Sequence, residues 1–219
     1  MEIRKNNSLL GKLSLLSVLE NNVFNFLIFN KQTSCLEEQN IVRISAIADF
    51  LRYKNKRNEK IHSSLEGLVK KGFITFARIG RGVIEYNFLV NVFADSANAF
   101  YKEDICISRK ISTKFSFCLY SYLKRYGYCV NSTAHRNIGA IMDVIYIKPS
   151  HDATARTPRN VKMFLEYLKK AKHEINSKSD VLFSYELLKN KFNKCSKIRF
   201  ILHQTLPKSY PQVIHRTVC

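Results

Sequence analysis

Residues 157–203 read TPRNVKMFLEYLKKAKHEINSKSDVLFSYELLKNKFNKCSKIRFILH, and the fold is decided there. Thr157-Pro158 predicts a helix start. A threonine oxygen caps free backbone N–H groups, and proline at the first helical position gives up a donor that has no partner anyway. At about 100° per residue, Val161, Phe164, Leu165, Leu168, Ala171 and Ile175 then fall on one apolar stripe. Arg159, Lys162, Lys169, Lys170 and His173 gather on the opposite side, with Glu166 among them. After the helix, Val181–Leu187 and Lys197–His203 alternate or run apolar, which predicts two strands joined by the basic turn KNKFNKCS.

Working outward, the same unit occurs twice. Upstream, a helix from Ser112 carries Phe115, Cys118, Leu119, Tyr122, Leu123 and Tyr126 on one face and ends at Gly127. A shorter helix over His135–Ile145 has Ile138, Ile141, Met142 and Ile145 apolar, and a polar loop runs through PSHDATART. In the first half, Gly11–Lys31 has near-helical apolar spacing through Leu15, Leu16, Leu19, Val23, Phe26 and Leu27. The polar loop QTSCLEEQN and a short helix with Ile44, Ile47, Ala48 and Leu51 follow, then the basic turn KNKRNEK. Ile61, Leu65, Leu68 and Val69 mark the next helix, with Gly72 as its C′ residue. Phe73–Ala77 and Val83–Phe88 read as strands joined by RIGRG. Helix, helix, helix, hairpin, repeated, predicts an α+β fold of two tandem winged-helix domains. The expected domains are 1–100 and 101–219, with the boundary near Asp95–Asp104. SLEGLVKK (64–71) also echoes FLEYLKKA (164–171), each just before a hairpin.

Composition narrows the function. The 219 residues are 46% hydrophobic with 15 Phe and 11 Tyr, enough to bury a core, and the low counts of Gly (7) and Pro (4) argue against fibrous or linker-rich chains. Formal charge is +19, which points to a polyanion. It is unevenly spread: residues 1–101 hold 14 basic and 9 acidic side chains, residues 102–219 hold 22 and 8. No stretch approaches the ~20 apolar residues of a membrane span. The start, MEIRKNNSLL, lacks a signal-peptide core. The expectation is a soluble, cytoplasmic protein.

Chemistry is sparse. The six cysteines form no Cys-x-x-Cys pair and the six histidines no His-x-His, so no metal and no cofactor is expected, and the thiols are expected to be reduced. A rolling-circle nickase needs a metal-binding His pair beside its tyrosine, and that pair is absent. There is no phosphate-binding Gly-x-x-x-x-Gly-Lys-Ser/Thr loop. The chain reads as a non-enzyme.

A helix that buries one stripe and offers cations on the other fits the DNA major groove. Arg159, Lys162, Lys169, Lys170 and His173 are therefore the candidate groove residues, set against an ordinary solvated lysine face. Lys189, Lys191, Lys194 and Lys197 on the hairpin suit phosphate contacts, which position a protein without reading sequence. In the first half, Arg52, Lys54, Lys56, Arg57 and Lys60 cluster before the helix, and Arg78 and Arg81 sit on the hairpin. A second DNA surface and a solvated turn are equal readings of that cluster. The 26 Phe and Tyr residues also allow single-strand stacking, but most lie on apolar stripes.

The second half resembles the C-terminal winged-helix domain of iteron-type plasmid replication initiators. The matching features are Glu174-Ile175-Asn176 at the end of a long helix, the Ser179-Asp180 turn, and the strand, basic turn and strand that follow. Leu119-Tyr120 followed by Leu123-Lys124, and the short segment IGAIMDVI, match upstream; the resemblance covers about 105–203. It implies that the C-terminal domain binds direct repeats at an origin, while the N-terminal domain adds DNA contact and dimerises. It also implies recruitment of host initiator and helicase, repression of the initiator's own promoter, and a homodimer in equilibrium with monomer. The alternative is a winged-helix transcriptional regulator with no replication role.

Overall fold

The computed structural model describes residues 1–6, 8–34, 40–53, 58–93, 100–126, 136–145, 161–192 and 194–203. The first half contains β1 (Glu2–Asn6), α1 (Leu9–Leu13), α2 (Val18–Thr33), β2 (Ile41–Arg43), α3 (Ile44–Phe50), α4 (Asn58–Lys70), β3 (Ile74–Gly80) and β4 (Val83–Phe88). The second contains β5 (Phe100–Asp104), α5 (Ile105–Ser108), α6 (Lys114–Tyr126), β6 (Arg136–Asn137), α7 (Ile138–Ile145), α8 (Val161–Lys178), β7 (Leu182–Lys189) and β8 (Cys195–His203). It is a mixed α+β chain with small antiparallel sheets.

The two halves repeat one order. α2-β2-α3-α4-β3-β4 is matched by α6-β6-α7-α8-β7-β8. The sheets match too, with strand orders β2-β4-β3 and β6-β8-β7, so in each the last strand lies in the middle. Both hairpins carry a register shift beside the turn, between Arg78 and Gly80 in one and between Leu188 and Lys189 in the other. Each half has its own apolar core. Phe24, Leu27, Ile61, Leu65 and Leu68 sit in the first, and Phe117, Leu119, Phe164, Leu168 and Ile175 in the second.

The expected echo of 64–71 with 164–171 does not survive this alignment. α4 stops at Lys70 and β3 begins at Ile74, whereas α8 runs on to Lys178 before β7 begins at Leu182. Measured from the following strand, the echoed segments lie about two helical turns apart in position. Two turns of an amphipathic helix look alike, and that periodicity produced the match.

Other expectations need correction. Gly11–Lys31 is not one helix: it breaks between Leu13 and Val18. Ser17 caps α2, its hydroxyl accepting from the Glu20 N–H at 3.2 Å while its own N–H donates to the Glu20 carboxylate at 2.6 Å. This reciprocal box outweighs the continuing apolar spacing. Within the helix expected over His135–Ile145, Arg136 and Asn137 form a short strand, α7 begins at Ile138 and His135 lies outside the described residues; β1, β2 and β5 have no counterpart among the expected strands. Val69 and Val161, assigned to the apolar stripes, are exposed. Gly72 takes φ 72°, the left-handed conformation a helix end requires. Thr157, Pro158 and Gly127 lie outside the described residues.

A two-stranded sheet ties the halves together. β1 pairs antiparallel with β5, from Glu2 opposite Asp104 to Asn6 opposite Phe100. The expected boundary stretch therefore ends in a strand held by the N-terminus. Beneath it, Lys5 and Glu103 are both fully buried and paired at 2.9 Å. The second carboxylate oxygen accepts from Asn25 Nδ2 of α2 at 3.2 Å, and Ser121 of α6 donates to the first at 3.1 Å. Lys5 Nζ also lies 5.8 Å from the Tyr101 ring centroid and 5.7 Å from that of Phe117. Burial pulls the Lys5 ammonium below its ordinary value while Glu103 opposes that pull. Arg109, just after α5, stacks on Phe50 at 5.1 Å and donates to the Phe50 carbonyl at the end of α3.

Candidate nucleic-acid interface

α8 is held so that its cations face outward. Phe164, Leu168, Ala171 and Ile175 are buried, which leaves Lys162, Lys169, Lys170 and His173 exposed on the far side with Glu166. Leu165 is half-buried at the flank. Lys172 turns toward the sheet, its Nζ 5.7 Å from the Tyr185 ring. Arg159 lies outside the described residues.

The residues that fix α8 are those of the initiator-like motif. Glu174 accepts from the Ser112 N–H at 2.7 Å, the Ser112 hydroxyl at 2.6 Å and the Thr113 hydroxyl at 3.2 Å, just before α6 begins. Burial alone would raise this carboxyl; the hydrogen bonds, led by those of Ser112, outweigh it and hold it at about 2. Ile175 is fully buried. Asn176 spans to β7, donating to the Phe183 carbonyl and accepting its N–H, both at 3.0 Å. Asp180 accepts from the Tyr120 hydroxyl at 3.0 Å and from Lys124 Nζ at 2.8 Å. The two parts of the motif, distant in sequence, thus meet in space. They aim α8.

The β7–β8 hairpin extends beside the helix. Lys189, Lys191, Lys194 and Lys197 are all exposed. Its turn is organised by Asn190, whose Oδ1 accepts the N–H of both Phe192 and Lys194 at 3.0 Å and whose own N–H donates to the Lys194 carbonyl at 2.8 Å. Among the described residues, no carboxylate comes within ion-pair distance of Lys162, Lys169, Lys170 or these four hairpin lysines. They are cations held in water, a standing electrostatic attraction for phosphate.

The first half presents a sparser surface. Lys60, Arg78 and Arg81 are exposed, and Arg57 lies outside the described residues. Arg78 Nη2 lies 3.4 Å from His62 Nδ1. Burial, then the Arg78 charge, lowers the His62 pKa. A cleft of about 290 Å³ lies between this pair and the hairpin, with Arg81 and Ile44 on its walls. α4 itself exposes Glu59 and Glu66 beside Lys60 and Lys70, so its outer face carries mixed charge.

Sequence reasoning missed the role of Asn190 within the expected basic turn, and the Lys5–Glu103 pair. Asn190 was legible in principle, since an Asn that opens a turn often accepts backbone N–H groups. Lys5 was not, because nothing local marks a lysine whose partner is Glu103. Among the described residues, no group of His, Cys, Asp and Glu could hold a metal ion, and no helix is long and apolar enough to cross a membrane. Cys106, Cys118 and Cys195 are free thiols, and burial pushes Cys118 up to about 12.

No protein-family model matches this chain, and no curated protein matches it in sequence. Among solved structures, the crystal structure of Pi initiator protein in complex with iteron DNA is similar, with a TM-score of 0.62 and 14% sequence identity. The similarity covers 92% of this chain and 96% of that one, so the two share a fold over most of their length.

Proposed function

We propose that this protein is a sequence-specific, double-stranded-DNA-binding replication initiator that binds direct repeats at a plasmid origin. In this reading each half is a winged-helix domain, 1–100 and 101–219. α8 enters the major groove with Lys162, Lys169, Lys170 and His173, while the β7–β8 lysines grip flanking phosphates. Arg159, just ahead of the described part of α8, joins the groove contacts. The first half dimerises and adds a weaker contact through Arg57, Lys60, Arg78 and Arg81. The protein acts by binding, without a covalent step of its own. It helps open the origin, recruits host initiator and helicase, and represses its own promoter.

The single observation that carries this reading is the outward cationic face of α8, unpaired among the described residues and flanked by a lysine-rich hairpin. Likeness of fold to a protein crystallised on iteron DNA supports it. The test is a nuclease footprint on the DNA flanking the protein's own gene. Protection of several tandem direct repeats is the expected result. Protection of one inverted or single promoter site, with no repeats, would replace it with a transcriptional regulator.

A further inference from the structure

Both hairpin tips hold an apolar side chain in water. Phe192, in the β7–β8 turn, is 69% exposed, and Ile79, near the β3–β4 turn, is 51% exposed. A lone exposed apolar residue needs no explanation. Two of them, one in the turn of its hairpin and one at a bulge beside the turn of the other, each among cations in the sequence, do. Lys189, Lys191 and Lys194 neighbour Phe192 along the chain, and Arg78 and Arg81 flank Ile79.

Each tip is also built to present that side chain. Asn190 fixes the turn that bears Phe192 by accepting two backbone N–H groups. Lys191 Nζ lies 5.3 Å from the Phe192 ring centroid, so charge and ring travel together. Ile79 is the residue left out of register where Arg78 opposes Ile84 and Gly80 opposes Val83. A bulge of this kind bends the strand and re-aims a side chain. Gly82, at φ 73°, closes the turn beside it.

The matching partner is apolar within and anionic at its edges. A base step seen from the minor groove has that form: stacked bases between two rows of phosphates. Proteins that enter that groove insert Phe or Ile between bases and partly unstack them. We propose that Phe192 and Ile79 are wedge residues, each carried by its hairpin into the minor groove, where the flanking cations hold phosphates and the apolar side chain parts a base step. This rests on the duplex binding proposed above and specifies what the hairpins do there.

The test uses the full chain and a duplex carrying the footprinted site, with 2-aminopurine placed at successive positions. Wild type should raise the fluorescence of the probe at the steps beneath the hairpins. Phe192→Ala should abolish the rise at the second-half step and weaken binding about tenfold. Its salt dependence should not change, since no charge is lost. Lys191→Ala should do the reverse, keeping the fluorescence rise while the salt slope falls by about one. Ile79→Ala should act in the same way as Phe192→Ala at the other step. Unchanged thermal unfolding and sedimentation would show that these surface variants fold and assemble normally. The proposal fails if wild type binds the duplex with no probe responding, if Phe192→Ala keeps both fluorescence and affinity, or if Phe192→Ala alters only self-association. Absence of any duplex binding by wild type would instead overturn the functional reading on which the proposal depends.

Discussion

The two halves have one plan and two surfaces. α4 and α8 occupy the same place before a hairpin, and each buries an apolar stripe against its own core. Each is anchored by a carboxylate-to-lysine contact from elsewhere in its half. Glu20 of α2 takes Lys71 at 2.6 Å just beyond α4, and Asp180 just beyond α8 takes Lys124 of α6 at 2.8 Å. The outward faces differ: α4 mixes Glu59 and Glu66 with its lysines, whereas α8 sets Lys162, Lys169, Lys170 and His173 against one Glu166. Buried positions preserve the architecture, and exposed ones are at liberty to take or lose charge. The likeness between the halves therefore says little about which of them would grip DNA in the proposed function, and the charge says a good deal.

The sharpest way to break the comparison is at the junction. Lys5→Met leaves the Glu103 carboxylate buried without its ion-pair partner. It should destabilise the fold by about 3–5 kcal/mol, the usual cost of stranding half of a buried pair. Replacing both partners with apolar residues should recover much of that loss, and denaturant unfolding of the single and double variants checks it. If the pair holds the halves in register, Lys5→Met should also split one unfolding transition into two.

Charge removal on the outward surfaces of the two halves comes next. Lys162→Ala should cost about 1–3 kcal/mol on the cognate duplex and less on a scrambled one, if the side chain reaches a base edge. Lys189→Ala, Lys191→Ala and Lys194→Ala together should reduce the salt slope of binding by nearly three, at about 0.9 per phosphate released. Lys60→Ala, Arg78→Ala and Arg81→Ala together should change that slope by less than one. An equal change from the two triple variants would erase the asymmetry. Anisotropy titrations at several salt concentrations measure both.

A smaller effect is read by pH. Glu174 is held at about 2 in the fold against an ordinary value of 4.5. A carboxyl depressed by folding adds stability that is fully present above its unfolded value and is lost as pH falls through its folded one. The second half should therefore lose stability between about pH 4.5 and pH 2, and Glu174→Gln should flatten that loss. Thermal unfolding across this range checks it. The smallest effect expected is none: reductant should leave DNA binding unchanged. Among the described cysteines all are free, and the most buried, Cys118, stays protonated.

Much of this was legible in the sequence because the signals were local. The hairpins at RIGRG and KNKFNKCS, the helix end at Gly72 and the buried stripe of Phe164, Leu168, Ala171 and Ile175 follow from spacing within one element. The β1–β5 pair was not legible, because it joins residues about one hundred apart and its inward-facing Lys5 breaks the apolar alternation that marks a strand. The break before α2 was written in Ser17 and Glu20 but hidden by apolar spacing that ran through it. At the site, the lysines were found by charge, whereas the roles of Glu174, Asn176 and Asp180 depend on partners just before α6, in α6 and in β7 that no spacing reveals.

The central claim is that the outward face of α8 sits in a duplex groove, and photo-crosslinking tests it most directly. With a photoreactive phenylalanine in place of Lys169, irradiation of the complex with the footprinted duplex should give crosslinks at one recurring position in every direct repeat. The same group in place of Lys70, the last residue of α4, should give few. Crosslinks spread evenly along the duplex, or absent at position 169 while the duplex remains bound, would contradict the account.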